Sequence, residues 1–113
     1  MKFLVLMSSD DAAWDALAPA EQARVLQAHA ACERELRAGG HFIASWRLRP
    51  AAEARTVVRE PDGQMRVVLS AELGGARFGG AYLIDVPTRT DAERWAQKLR
   101  FIAGTNELRE VWE

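Results

Sequence analysis

Two rhythms of apolar positions run through this chain, one of period two and one of period 3.6. The clearest stretch is Phe78-Gly79-Gly80-Ala81-Tyr82-Leu83-Ile84-Asp85-Val86, opened by glycines and closed by Pro87. It is apolar on both alternating faces, the pattern of a strand covered on both sides at the centre of a sheet. Lys2 to Met7 reads the same way, with Phe3, Val5 and Met7 on one face and Leu4 and Leu6 on the other. His41 to Leu48 also alternates: Phe42, Ala44, Trp46 and Leu48 share one face, and Ile43, Ser45 and Arg47 share the other. Arg55 to Glu60 and Met65 to Ser70 make two strands joined by the tight-turn sequence Pro61-Asp62-Gly63-Gln64. Ala71 to Phe78 reads as an irregular loop, and Glu107 to Trp112 as a last strand.

The helical rhythm appears twice at length. From Pro19 to Ala38, Val25, His29, Cys32 and Leu36 fall on one stripe flanked by Ala28, while Arg24, Gln27, Arg34 and Arg37 lie away from it. Proline suits the first helical position, and Gly39-Gly40 supplies the stop. The second helix follows Pro87. Thr90 and Glu93 form a capping box, Ala92, Trp95, Ala96, Leu99 and Ile102 make the apolar stripe, and Gly104 marks the end. A short turn of helix is predicted over Ala12 to Leu17, with Trp14 as its anchor.

The order is therefore strand, helix, strand, extra hairpin, strand, helix, strand. Without the hairpin this is the α+β, ferredoxin-like βαββαβ arrangement: one antiparallel sheet with both helices on one face. Residues 1–113 contain no linker or repeat that would divide them into domains. Two helices cover only one face, yet the central strands are apolar on both. The uncovered face amounts to roughly 400 Å², near the limit for a soluble monomer. Pairing two such faces removes about 800 Å² from water, worth on the order of 20 kcal/mol gross. Association costs about 4–15 kcal/mol. A homodimer packed through the open sheet face is the expectation.

Charge and cysteine content narrow the partners. A net charge of −1 with dispersed lysines and arginines gives no footprint for nucleic acid or an acidic membrane. No stretch approaches the ~20 apolar residues of a membrane span. Cys32 is the single cysteine, so neither an internal disulfide nor a cysteine metal cluster is expected, which suits a cytoplasmic setting.

His29 is the foremost catalytic candidate: an imidazole on a sheet-facing stripe suits general acid–base work near neutral pH. The plainer alternative is a core histidine bonded to a backbone carbonyl. Asp10 and Asp85 are candidate acidic partners, although either position also suits a cap or turn. Trp46, Tyr82 and Trp112 are candidates to line a pocket for a small organic ligand, or else to form dimer core. Arg47 and Glu72 are candidates to orient a polar group at its mouth, or else surface ion pairs. His41 reads as exposed, and Cys32 as a core thiol. No metal site or cofactor is expected from this set.

Several of these stretches, taken in order, resemble a known family. They are Met1-Lys2-Phe3-Leu4-Val5-Leu6-Met7, the Trp14…Leu17-Ala18-Pro19 entry, Glu35-Leu36-Arg37-Ala38-Gly39-Gly40, Leu48-Arg49-Pro50, Thr56-Val57-Val58-Arg59, Gly79 to Val86 and Ala92-Glu93-Arg94-Trp95-Ala96. Together they are similar to the YCII-related family, and more narrowly to its DGPF-domain branch. The DGPF signature itself is absent: its place holds Leu69-Ser70-Ala71-Glu72-Leu73-Gly74-Gly75. The resemblance implies a dimeric α+β barrel and a small-molecule enzyme that pairs a histidine with an aspartate. His29 matches the family's helix histidine by its distance from Gly40, and Arg37-Ala38 stand where the aspartate is expected. Two functions follow as expectations: a homodimeric enzyme transferring protons through His29 without a cofactor, or a non-catalytic ligand-binding or regulatory dimer of the same fold.

Overall fold

The computed structural model describes residues 1–74 and 77–113. Its elements are β1 (Lys2–Ser8), α1 (Asp11–Asp15), α2 (Pro19–Ala38), β2 (Phe42–Arg47), β3 (Arg55–Arg59), β4 (Met65–Leu69), β5 (Phe78–Asp85), α3 (Arg89–Lys98) and β6 (Asn106–Glu110). Single 3-10 turns at Ala51–Glu53 and Ser70–Leu73 flank the β3–β4 hairpin. The loop expected over Ala71 to Phe78 thus begins as a 3-10 turn; Gly75 and Ala76 lie outside the described residues.

The main sheet has four strands in the order β2-β5-β1-β6, all antiparallel neighbours, and β3 pairs only with β4. Leaving the hairpin aside, this is the ferredoxin-like order, with β1 and β5 in the centre as their two-faced apolar patterns require. Among the described residues one chain supplies an open sheet and no closed barrel.

Both long helices pack on the same face. Phe3, Val5, Tyr82, Ile84 and Val86 meet Cys32 and Leu36 of α2 and Ala92 and Leu99 around α3 in a single core. Burial alternates along β1: Phe3 and Val5 are wholly buried, whereas Leu4 and Leu6 on the other face are only partly so. The chain is 18 Å deep along its short axis, against 49 and 41 Å along the others, which is about one sheet and one helix layer.

Three local readings change. In β2 the register slips between Phe42 and Ala44, so the expected single face of Phe42, Ala44, Trp46 and Leu48 is broken by a bulge. Phe42 opposes Ile84 and packs on the core, and beyond the bulge Ser45 and Arg47 take the helix side, opposite Tyr82 and Gly80. The cap of α3 is Thr88 rather than Thr90: its hydroxyl accepts from the Asp91 N–H at 3.1 Å, with Thr88 itself extended at φ −139°. That helix stops at Lys98, before Gly104, because Asn106 of β6 donates its side-chain amide to the Ala96 carbonyl at 2.8 Å. The hairpin turn is as expected, with Gly63 at φ +91° where a side chain would be strained.

Candidate functional site

The ends of β1, β2 and β5 that meet at one edge of the sheet form a wall. Across from it lies the first half of α2, and α1 and the segment after α3 close the sides. Between them is a cavity of about 630 Å³, within the range of small-molecule sites.

His29 stands in that wall. The helical stripe of Val25, His29, Cys32 and Leu36 faces the sheet as its spacing demands. Cys32 and Leu36 sink into the core, while His29, a turn earlier, reaches the cavity half-buried. Its Nδ1 lies 3.1 Å from the Tyr82 hydroxyl, and the two ring planes are nearly parallel, 13° apart. Phe101 meets the imidazole edge-on, 4.6 Å between centroids. The ring is thereby held from two sides, and Nε2 has no protein hydrogen-bond partner among the described residues.

Electrostatics keep both members of this pair uncharged at neutral pH. Burial pulls the His29 pKa below its usual value, and the Arg100 and Arg47 charges add to that. Burial pushes the Tyr82 hydroxyl up to about 12, with Glu33 and Cys32 contributing. Two neutral partners can share one hydrogen bond in either sense. When Nδ1–H donates to the Tyr82 oxygen, Nε2 presents a lone pair; when Tyr82 donates, Nε2 presents a proton.

The other sequence candidates divide. Asp10 borders the cavity, but its carboxylate caps α1 by accepting from the Ala13 N–H at 3.0 Å and makes no bond to His29. Asp85 is at the opposite end of β5, three residues beyond Tyr82 and so on the other face. There it accepts from the Met1 ammonium at 3.1 Å, and the structure does not bring it to His29. Trp46, Arg47 and Tyr82 do border the cavity, although Trp46 lies on the open sheet face by register and is half-exposed. Glu72 sits exposed in the 3-10 turn beside β4, away from it. Trp112 is 99% exposed beyond the end of β6 and does not border this cavity. His41 holds strand ends together through Nδ1 to the Asp85 carbonyl at 2.9 Å. Cys32 is buried and its thiol is pushed up by that burial, which disfavours the reactive thiolate.

Arg100, Phe101 and Trp14 were not foreseen as parts of the site. Arg100 donates to the carbonyls of Ser8, Ile102, Ala103 and Thr105 and to Asn106 Oδ1, all between 3.0 and 3.2 Å, and so moulds the segment that carries Phe101. Asp11 pins the opposite rim, accepting from Ser9 Oγ and from the Ala51 N–H, each at 2.9 Å. Among the described residues, no three His, Cys, Asp or Glu side chains come together as a metal site, and no helix is long and apolar enough to cross a membrane.

Fold and site together define an α+β, ferredoxin-like protein with a histidine–tyrosine pair in the wall of a small-molecule-sized cavity. The chain belongs to the YCII-related domain family, whose model matches residues 1–113. A comparison with curated proteins finds no significant match.

Proposed function

We propose that this protein binds a small organic molecule in the His29 cavity and moves a proton on it without a cofactor, His29 acting as general base or acid. The observation that carries the reading is the His29–Tyr82 pair: a neutral imidazole in a cavity wall, fixed through Nδ1, with Nε2 at liberty. A base must be unprotonated at working pH and aimed at its target. When Nε2 takes a proton, Nδ1–H keeps donating to the Tyr82 oxygen, so the ring need not move. Arg47 and Arg100 raise the free energy of the resulting imidazolium, which favours prompt return of the proton to another atom of the ligand.

Solvent-deuterium exchange tests it. A panel of enolisable ketones, keto acids and lactones is incubated in heavy water and followed by proton NMR. The expected result is exchange that His29→Gln slows by about a hundredfold or more. Equal exchange by the two proteins would remove His29 from the chemistry. Binding without exchange would support the second reading, a ligand-binding or regulatory protein. That reading is favoured by one observation, the lack of any carboxylate hydrogen-bonded to His29 among the described residues.

We further infer a homodimer through the open sheet face, where Leu4, Leu6 and Leu83 are only partly buried and Trp46 is 52% exposed. On the alternate face Phe3, Val5, Tyr82 and Ile84 are buried under the helices, and a chain 18 Å deep has no second layer to cover the open one. Light scattering at micromolar concentration should give the mass of two chains; a single-chain mass overturns it. The residues quoted above favour the DGPF-like branch, and the unpaired Cys32 suits a cytoplasmic setting.

A further inference from the structure

Three arginines border the cavity, and the structure employs two of them elsewhere. Arg49 closes a two-pronged ion pair with Glu53, at 2.9 and 3.1 Å. Arg100 is committed to the segment it moulds, as described. Arg47 makes no hydrogen bond or ion pair among the described residues, and its guanidinium lies over the Trp14 ring at 5.3 Å. An arginine stacked on an aromatic face has its plane set in advance while its N–H edge stays available.

The strand register aims Arg47 at the site. It opposes Gly80, Ser45 opposes Tyr82, and positions two apart share a face. Arg47 therefore stands beside the Tyr82–His29 pair on the helix side of the sheet. Gly80 contributes no side chain there, and a Cβ at that position would come within 2.7 Å of the Trp46 carbonyl. The neighbouring carboxylates are occupied: Asp10 on Ala13, and both oxygens of Asp11 on Ser9 and Ala51. Asp15, exposed at the rim, has no ion pair within 4.0 Å among the described residues. Trp14, Leu26, Phe101 and Ile102 give the same cavity an apolar lining, alongside the hydroxyls of Ser9 and Ser45.

We propose that the cavity selects a small organic carboxylate with an apolar or aromatic body, its carboxylate held by the N–H edge of Arg47 and its body against Trp14, Leu26, Phe101 and Ile102. This rests on the cavity being the ligand site but not on any proton being moved there. A planar guanidinium matches a carboxylate with two parallel N–H···O bonds. Such a ligand also places a negative charge beside His29, which is faced by Arg100, Arg47 and Tyr82, with Glu33 one turn further along α2 and acting on Tyr82. Its binding should raise the His29 titration midpoint.

The probes are benzoate and benzamide, near-isosteres that differ in charge. Binding is read by tryptophan fluorescence and by the His29 Cε1–H resonance. The expected result is benzoate binding about tenfold or more tightly than benzamide, with an upward shift of the His29 midpoint from benzoate alone. Arg47→Gln should abolish the preference, and Arg47→Lys should restore part of it. Both changes are at an exposed side chain, and circular dichroism checks the fold. Equal binding of the two probes, binding of neither at millimolar concentration, or a preference that survives Arg47→Gln would overturn the inference. Carboxylate binding through Arg47 without deuterium exchange leaves this inference standing and removes proton transfer. Exchange on neutral compounds with no carboxylate preference does the reverse.

Discussion

His29 is neutral in the fold and positively charged in acid when unfolded, so it ties stability to pH. Its folded pKa is lowered below the usual 6.5, so the unfolded chain binds the extra proton first. The contribution is fully present above the unfolded value and is lost as pH falls through 6.5 toward the folded one. Urea midpoints of wild type should therefore drop more than those of His29→Gln across that interval; equal slopes would mean that burial of the imidazole carries no such cost. Gly80 is the second decisive residue. A methyl there would meet the Trp46 carbonyl, which belongs to the backbone and cannot swing away. Gly80→Ala should cost about 1–3 kcal/mol in denaturant unfolding, and unchanged stability would show that β2 can shift freely. The prominence of His29 was legible in sequence because the apolar spacing around it is regular. Its partner was not: alternation gives a face, and only three-dimensional register brings a hydroxyl to Nδ1. Arg47 was legible as a candidate, yet strict alternation sets it on the face opposite Phe42, and one bulged position brings the two to the same side.

Among the elements, α3 and the segment after it show where local sequence stops being informative. Pro87 and the apolar stripe locate the helix well. Its end is fixed from afar, by Asn106 on the Ala96 carbonyl and by Arg100 fanned over five acceptors. Neither leaves a mark in the neighbouring residues, so Gly104 looked like the stop. Arg100→Ala should cost about 2 kcal/mol by leaving carbonyls without donors. It should also free Phe101 from its edge-on contact with His29, broadening or shifting the His29 ring resonances. Loss of stability with an unperturbed His29 spectrum would separate the two roles. The β3–β4 hairpin was fully legible, since turn chemistry and strand pattern are both local. Its root is fastened by Thr56 to Ser70 between hydroxyls at 2.6 Å and by Arg77 to the Ser70 carbonyl.

At the scale of the whole molecule, one helix layer on one sheet leaves half of each central strand's side chains without a roof. On the homodimer inference, Leu83→Glu should yield single-chain mass by light scattering with circular dichroism preserved, because Leu83 faces away from the core. A variant that stays at two-chain mass would place the contact elsewhere. The hairpin is a separate two-stranded ribbon with exposed apolar residues of its own: Val57, Met65 and Val67 are each more than 60% exposed. That ribbon also carries exposed Arg55, Arg59 and Arg66, which are cleavage points for trypsin. It is thus a built-in gauge of occupancy: dilute samples should be nicked within the ribbon quickly, and concentrated ones slowly if association shelters the arm. A nicking rate indifferent to concentration would mean that the ribbon stays in water whatever the rest of the molecule does.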